Sequence, residues 1–568
     1  MAREIGSVIR QARGTEPVDV LLRGGTVVDV LTGQLRRAEV AIAGERIAAV
    51  YADIPEAKRV IDCTGKLIAP GLIDGHIHLE SSLLHPLEFA RAAAAHGTTT
   101  VIADPHEIAN VCGTEGARFM ARAAAGGPVD VFLSVPSCVP ASPLETSGAE
   151  LGPQEVAEML AWPEAVGLGE MMNFPGVLAG QPQVLAKLAA AAGKPIDGHA
   201  PGLTGRDLQA YVAAGPDSDH ESTTSAEAEE KLAAGMWIMI REGTAARNLR
   251  DLLPVVLDRA TAGRCLFVSD DLAPGELLAE GRLDRILRLA VAGGVDAVEA
   301  LRLVTANPAA RFGLRDRGAI RAGLLADIVV FDDLQTFRVS CALRRGADVS
   351  ELAQASIEVA PPASGCRIGA LTPDTFAVPA PAGEVRVIGV VPGQIVTEAL
   401  TMALPKPEGR VVADPTNDVV KIAVIERHGR GGGIGLGFVK GLGLQRGALA
   451  STVAHDSHNL IVAGADDASM ASAARVVAEV GGGFAVVAPD GDPQVLPLPI
   501  AGLMSDRPIA EVAGTVERLL GAAARLGCQA QNPFATLSFL ALPVIPALKI
   551  TDRGLVDVRR FEHVPLAV

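Results

Sequence analysis

KLIAPGLIDGHIHLE (residues 66–80) reads as a buried apolar run that ends in polar side chains. Residues two apart on a strand point to one face, so His76 and His78 at a strand's C-terminal end enter one site together. An H-x-H pair standing alone is more often a pair of surface histidines after a turn. From about residue 66 to about 320, further runs of this kind alternate with helix-like stretches such as SAEAEEKLAAG (225–235). The strand candidates are TTTVIAD (98–104), DVFLSVP (130–136), AVGLGE (165–170), PIDGHA (195–200), SDHES (218–222) and CLFVSDD (265–271). Each ends in acidic, histidine or hydroxyl residues. Repeated β-α units over ~250 residues predict an α/β fold, a (β/α)8 TIM-like barrel.

The flanks differ in texture. Residues 18–50 read as short strands punctuated by glycine, and 317–333 return to strand-like composition. Together they are expected to build a small β-sandwich from both sides of the barrel. The stretch 357–382, rich in Pro, Ala, Ser and Gly, reads as a linker or crossing segment, and the remainder as an α/β or α+β domain. The expected division is 1–65 and 317–360 for the sandwich, 66–316 for the barrel and 361–568 for the C-terminal domain. GRGGGIGLGFVKGLGL (429–444) lacks the β-turn-α setting and acidic partner of a dinucleotide site, so it reads as a glycine-rich hairpin.

Only 11 histidines occur in the chain, which gives their positions weight. His199 and His220 end strand candidates, as do Glu170 and the pair Asp270-Asp271. With His76 and His78 they lie at successive strand ends, where active sites of barrels assemble. The set holds imidazole and carboxylate and no thiolate, which suits Zn, Mn, Fe or Co. His85, His96, His428 and His563 lack a strand-end setting and read as ordinary structural or surface residues.

Bulk properties narrow the function. A length of 568 residues predicts two or three domains, and 49% apolar residues supply several cores. The formal charge of −16 repels a phosphate backbone, so no nucleic-acid partner is expected. The seven cysteines are scattered without a C-x-x-C, against both disulfides and a thiolate zinc site. The same gap excludes the zinc deaminases of nucleic-acid bases, which use H-x-E with P-C-x-x-C. Met1-Ala2-Arg3-Glu4 carries no apolar signal core, and no run reaches the ~18 apolar residues that span a bilayer. The expectation is a soluble, cytoplasmic protein with no membrane partner.

Longer blocks carry a resemblance. PGLIDGHIHLESS (70–82), GTTTVIADPHEIANVCG (97–113), GEMMNFPGV (169–177), DGHAPGLTG (197–205), SDHESTT (218–224), FVSDD (267–271) and TANPAARFGL (305–314) resemble the amidohydrolase superfamily. Within it, DPHEIANVCG, GEMMNFPG, STVAHDSHNLIVAG (451–464) and NPFATLSFLALPVIPALKITDRGL (532–555) resemble the bacterial adenine deaminases. The resemblance implies two divalent metal ions, with Mn or Fe(II) favoured and Zn an option. His76 and His78 would bind one ion and His199 and His220 the other. Glu170 would bridge them, where many relatives use a carbamylated lysine, and Asp270 would complete the first site. Asp271 is the alternative should the register shift by one; otherwise it reads as a helix N-cap.

The implied reaction is hydrolysis of adenine to hypoxanthine and ammonia. Water activated by the metals attacks C6, and Asp270 accepts and passes on protons. Glu170, His220 and Glu221 join Asp270 in the catalytic group, with Glu221 contacting the base or orienting a ligand. His106, Glu107 and Asp271 are candidates to contact the purine, and His106 or Glu107 could instead hold a further metal. The competing reading of Asp104-Pro105-His106-Glu107 is a capped helix start. His455 and His458, in AHDSHN (454–459), are read as substrate-binding, from a loop that serves as a lid, an extra metal site or only a polar turn. The rival functions are hydrolysis of another cyclic amide or aminated heterocycle, and a silent scaffold. A homodimer or larger homo-oligomer is expected.

Overall fold

In the computed structural model, the structure describes residues 2–51, 56–244, 246–354 and 359–568. Five strands form one parallel sheet: β1 (Leu72–Ile77), β2 (Thr98–Ala103), β3 (Asp130–Val135), β4 (Ala165–Met171) and β5 (Ile196–Gly198). Three more run parallel in a second: β6 (Ser218–Asp219), β7 (Trp237–Arg241) and β8 (Cys265–Val268). Hydrogen bonds cross both seams. Asp217 N donates to Ile196 O at 3.0 Å, while Asp270 N donates to His76 O at 3.1 Å and His78 N to Asp270 O at 3.2 Å. With helices such as Pro86–Ala95 and His106–Arg122 between strands, this is a TIM-like α/β domain. Helices cover such a sheet, so its strands are buried on both faces, as all of β2 is, its three threonines included. Ile102, Met239, Leu266, Val268 and Phe312 form one apolar cluster across β2, β7 and β8. A Cβ on Gly75 of β1 would lie 2.3 Å from Leu266 Cδ1, so the strand needs glycine just before His76.

The flanking segments meet in one sheet. Ile328–Phe331 pairs antiparallel with Leu67–Pro70, which runs parallel to Thr26–Asp29. Val18–Arg23 belongs to a second, four-stranded sheet. The expected linker begins partly at 357–358, outside the described residues, as are 355–356 within the expected 317–360 segment.

The C-terminal region is built on an eight-stranded sheet whose neighbours are antiparallel, except that Val385–Val390 runs parallel to Ile434–Lys440. The glycine-rich stretch is a hairpin: Ile434–Lys440 pairs back onto Val419–Ile425. The turn between them wraps the Glu426 carboxylate, which accepts from the backbone N–H of His428, Arg430 and Gly432. A carboxylate thus occupies the concavity that a phosphate would need. The sheet packs against the TIM-like domain, with Leu79, Leu84 and Phe89 joining Ile422, Leu449 and Phe534 in one core. Ser505 ties the seam, its N donating to Leu83 O at 2.8 Å and its O accepting from His85 N at 3.0 Å.

Among the described residues all seven cysteines are free, and no helix is long and apolar enough to cross a membrane.

Candidate metal centre and active site

Glu170, near the end of β4, is the hub. Its backbone N donates to Asp104 Oδ2 at 2.9 Å. That approach requires glycine at the preceding position, because a Cβ on Gly169 would lie 2.1 Å from the same oxygen. Asp104 therefore does not cap the helix His106–Arg122. Its N-cap is Pro105, with no side-chain hydrogen bond, so the capped-start reading fails because the Asp104 carboxylate is engaged across the sheet.

Around Glu170 the imidazoles divide into two sets. Oε1 lies 3.2 Å from His78 Nε2 and 3.4 Å from His106 Nδ1, and Oε2 lies 2.5 Å from His199 Nδ1 and 3.1 Å from His220 Nε2. Asp270 Oδ1 faces the first set, 3.5 Å from His76 Nε2 and 3.3 Å from His78 Nε2. Its backbone is left-handed, φ 60°, which turns its side chain off the end of β8. Asp271 does not face these imidazoles and does not cap the next helix, whose N-cap is Ala273. Its carboxylate accepts from Ser81 Oγ.

The donor set can be tested against a metal pair. His78 Nδ1 lies 3.0 Å from the carbonyl oxygen of Asp104. A carbonyl only accepts, so Nδ1 carries the proton and Nε2 presents a lone pair to the site. His76 Nε2, 3.5 Å from Asp270 Oδ1, is buried with no hydrogen-bond partner, an unfavourable state for a polar atom left alone. Potential ligand atoms of His76, His78 and Asp270 lie within 4.8 Å of one another, as do those of His76, Glu170 and His220. Imidazole and carboxylate suit borderline divalent cations. His76, His78, Glu170, His199, His220 and Asp270 would suit such ions.

Charge keeps the anions ionised. Burial pushes the Glu170 carboxyl up, but His199 and His220 more than offset it and hold it well below the usual range. Burial also raises Asp270, and His76, His78 and Arg241 outweigh it in the same way. Arg241, at the end of β7, donates to Asp270 Oδ2 at 3.1 Å and to both oxygens of Glu221. Glu221 Oε1 is also 3.5 Å from His220 Nε2.

Beside this cluster is a cavity of about 110 Å³. Its lining includes Glu80, Ser81, Glu107 and Asp271 from the TIM-like domain and His455, His458, Phe484, Phe534 and Phe539 from the C-terminal region. His455 stacks on Phe539 with ring centroids 4.8 Å apart. Glu107 meets His455 Nδ1 at 2.7 Å and also contacts His458 Nε2. His106 does not line the cavity; it belongs to the Glu170 cluster. Sequence reasoning passed over Arg241, Glu80 and Asp456. Arg241 carried a usable signal, since it closes the apolar run WIMIR (237–241) as the ligands close theirs. Asp456 is buried, its Oδ1 3.7 Å from His455 Nδ1 and its Oδ2 unpartnered. Its carboxyl is pushed up to about 6, chiefly by burial.

The chain matches known proteins along its whole length. Residues 67–362 match the amidohydrolase family, and 394–562 match the adenine deaminase C-terminal domain. The adenine deaminase of Desulfatibacillum aliphaticivorans is 49% identical, over 98% of this chain and 99% of its own length. That of Methanothrix thermoacetophila is 48% identical, over 99% of each chain. Among solved structures, the β-aspartyl dipeptidase of Fervidobacterium islandicum AW-1 is similar, with a TM-score of 0.45, 14% identity and coverage of 59% of this chain and 96% of its own. A D-aminoacylase structure gives a TM-score of 0.43, 21% identity and coverage of 58% and 96%. On its sequence relatives and both matched regions, this chain belongs to the adenine deaminase family of the amidohydrolases.

Proposed function

We propose that the chain hydrolyses adenine to hypoxanthine and ammonia, using two divalent cations held by His76, His78, Glu170, His199, His220 and Asp270. The observation that carries this reading is the Glu170 carboxylate, which turns one oxygen to His78 and the other to His199 and His220. The full-length likeness to adenine deaminases supports the choice of substrate over another cyclic amide or heterocycle. When bound, such cations lower the pKa of water from ~16 toward ~7 and so provide a nucleophile at neutral pH.

The chain's own residues direct the rest. The purine lies in the cavity beside the cluster, flanked by Phe484, Phe534 and Phe539 and reached by Glu107, Asp271, His455 and His458. The water oxygen bonds to C6, the bond from C6 to the amino nitrogen breaks, and that nitrogen leaves as ammonia. Both water protons are redistributed: one ends on ring N1 and the other on the departing amine. Asp270, aligned by Arg241, carries them. Glu221 braces His220 and shares Arg241 with Asp270, while His106 backs the Glu170 cluster.

In this reading the eight parallel strands are one closed (β/α)8 barrel over 66–316. Residues 1–65 and 317–360 form the sandwich, and 361–568 form the domain that completes the cavity. Mn or Fe(II) is the native pair and Zn the substitute. The working form is a cytoplasmic homodimer or larger homo-oligomer. The test is ammonia release from adenine, guanine, cytosine and adenosine by protein reconstituted separately with Mn, Fe(II) and Zn. Adenine should be turned over fastest with two metal equivalents per chain. No release from adenine with any of the metals, or faster release from cytosine, sinks the reading.

A further inference from the structure

At the cavity wall one carboxylate is shared by two imidazoles of the 454–459 loop. His455 Nδ1 is 2.7 Å from Glu107 Oε1, and His458 Nε2 contacts Glu107 Oε2. Ligand atoms of these three residues lie within 4.8 Å of one another, close enough for a third cation. The proton positions speak against one. Ala454 N–H donates to His458 Nδ1 at 3.2 Å, so that nitrogen presents its lone pair. A neutral imidazole has a single N–H, which then sits on Nε2 and donates to Glu107. A protonated nitrogen does not ligate a metal. The setting also disfavours a second proton on His458, because the buried Arg427 guanidinium donates to His458 O. Burial depresses this imidazole to about 4, in the same direction.

With Oε2 taken by His458, Glu107 Oε1 accepts from His455 Nδ1–H at 2.7 Å, with His106 Nε2 farther off at 3.4 Å. A carboxylate on Nδ1 favours the imidazolium, whose second N–H is on Nε2, the ring's remaining polar atom. His455 lines the cavity and its ring is fixed by the stack on Phe539.

We propose that His455 recognises the substrate by donating from Nε2 to the lone pair of a purine ring nitrogen other than N1, and that Glu107 and His458 are positioning residues that aim it. This rests on adenine occupying the cavity described above. The C-terminal region then contributes a specificity-determining hydrogen bond as well as a wall.

The test uses the metal-loaded full chain. Affinities for adenine, 3-deazaadenine and 7-deazaadenine are measured as inhibition or dissociation constants, with metal content measured in parallel. A hydrogen bond from a charged donor is worth roughly 10- to 100-fold in affinity, so the wild type should bind one of the two analogues weaker than adenine by about that factor. His455→Phe, which keeps the stack, should bring that ratio near one. His458→Ala should erode it and His458→Gln, which retains a donor near Nε2, should restore it. All variants should keep two metal equivalents per chain, which also reports that they are folded. An unchanged ratio in His455→Phe, or equal binding of adenine and both analogues by the wild type, overturns the recognition role. His458→Gln behaving like His458→Ala overturns the positioning role. A third metal equivalent in the wild type that His455→Phe loses overturns the proposal in favour of a cation. A wild type that does not deaminate adenine is a separate result, which removes the function itself.

Discussion

His78 and His458 look alike until their second nitrogens are compared. Both are buried, and both turn Nε2 to a glutamate. His78 rests Nδ1 on a carbonyl oxygen, that of Asp104, whereas His458 rests Nδ1 on a backbone N–H, that of Ala454. The carbonyl forces the proton onto Nδ1 and frees Nε2 for a cation. The amide does the reverse and makes Nε2 a donor. Residue type and burial therefore do not decide whether an imidazole can offer Nε2 as a lone pair; the backbone atom behind it does.

The largest expected effect separates these two residues. His78→Ala should lower kcat/KM by on the order of 10⁴-fold and reduce bound metal below two equivalents. His458→Ala should leave metal content intact, as elemental analysis of both variants can check. Equal metal loss in the two would erase the distinction.

Next comes Asp270→Asn, which should lower kcat by about 10²- to 10⁴-fold with most of the metal retained. Full metal loss would show that Asp270 serves mainly as a ligand and not as a proton carrier.

A pH effect sharpens the other side of the comparison. Burial lowers the His455 imidazole, but Glu107 raises it further, to about 9 against an ordinary 6.5. A raised folded-state pKa contributes stability that is full below about pH 6.5 and is lost as pH rises through about 9. The stability gap between wild type and His455→Phe should therefore shrink from about pH 6 to about pH 9.5, by at most about 3 kcal/mol. Urea midpoints at the two pH values measure it, and a constant gap would mean that His455 is not held charged by Glu107.

The smallest effect tests the carbonyl side. Gly169→Ala would place a Cβ against Asp104 Oδ2 and should cost about 1–3 kcal/mol in stability. It should also weaken metal binding, since Asp104 supports both Glu170 N and His78 Nδ1. A thermal melt and a metal titration read the two consequences; unchanged metal affinity would show that the Asp104 link is dispensable.

Much of this molecule is written locally. Apolar runs ending in His76, His78, Glu170, His199, His220 and Asp270 fix strands and candidate ligands together, because a strand's end and its last side chains are encoded within a few residues. The pairing of the two flanks was legible for the same reason, in the strand-like runs that meet in one sheet. Which of Asp270 and Asp271 turns its carboxylate to His76 and His78 was not legible. It depended on a left-handed turn and on the seam with β1, contacts between residues almost 200 positions apart. His106 and Glu107 illustrate the same limit: neighbours in the chain, they divide between the Glu170 cluster and the cavity wall.

What the sequence determined alone is the chemical inventory: imidazoles and carboxylates at strand ends, no thiolate pair, an acidic chain and an adenine deaminase likeness from end to end. What only the tertiary structure decided is where the protons sit and which acids meet which bases. Asp104 supports Glu170 across the sheet, Arg241 joins Glu221 to Asp270, and His458 reaches Glu107 from more than 300 residues away. Hydrogen bonds and ion pairs depend on distance and direction in space, and sequence spacing supplies neither once the partners lie on different elements.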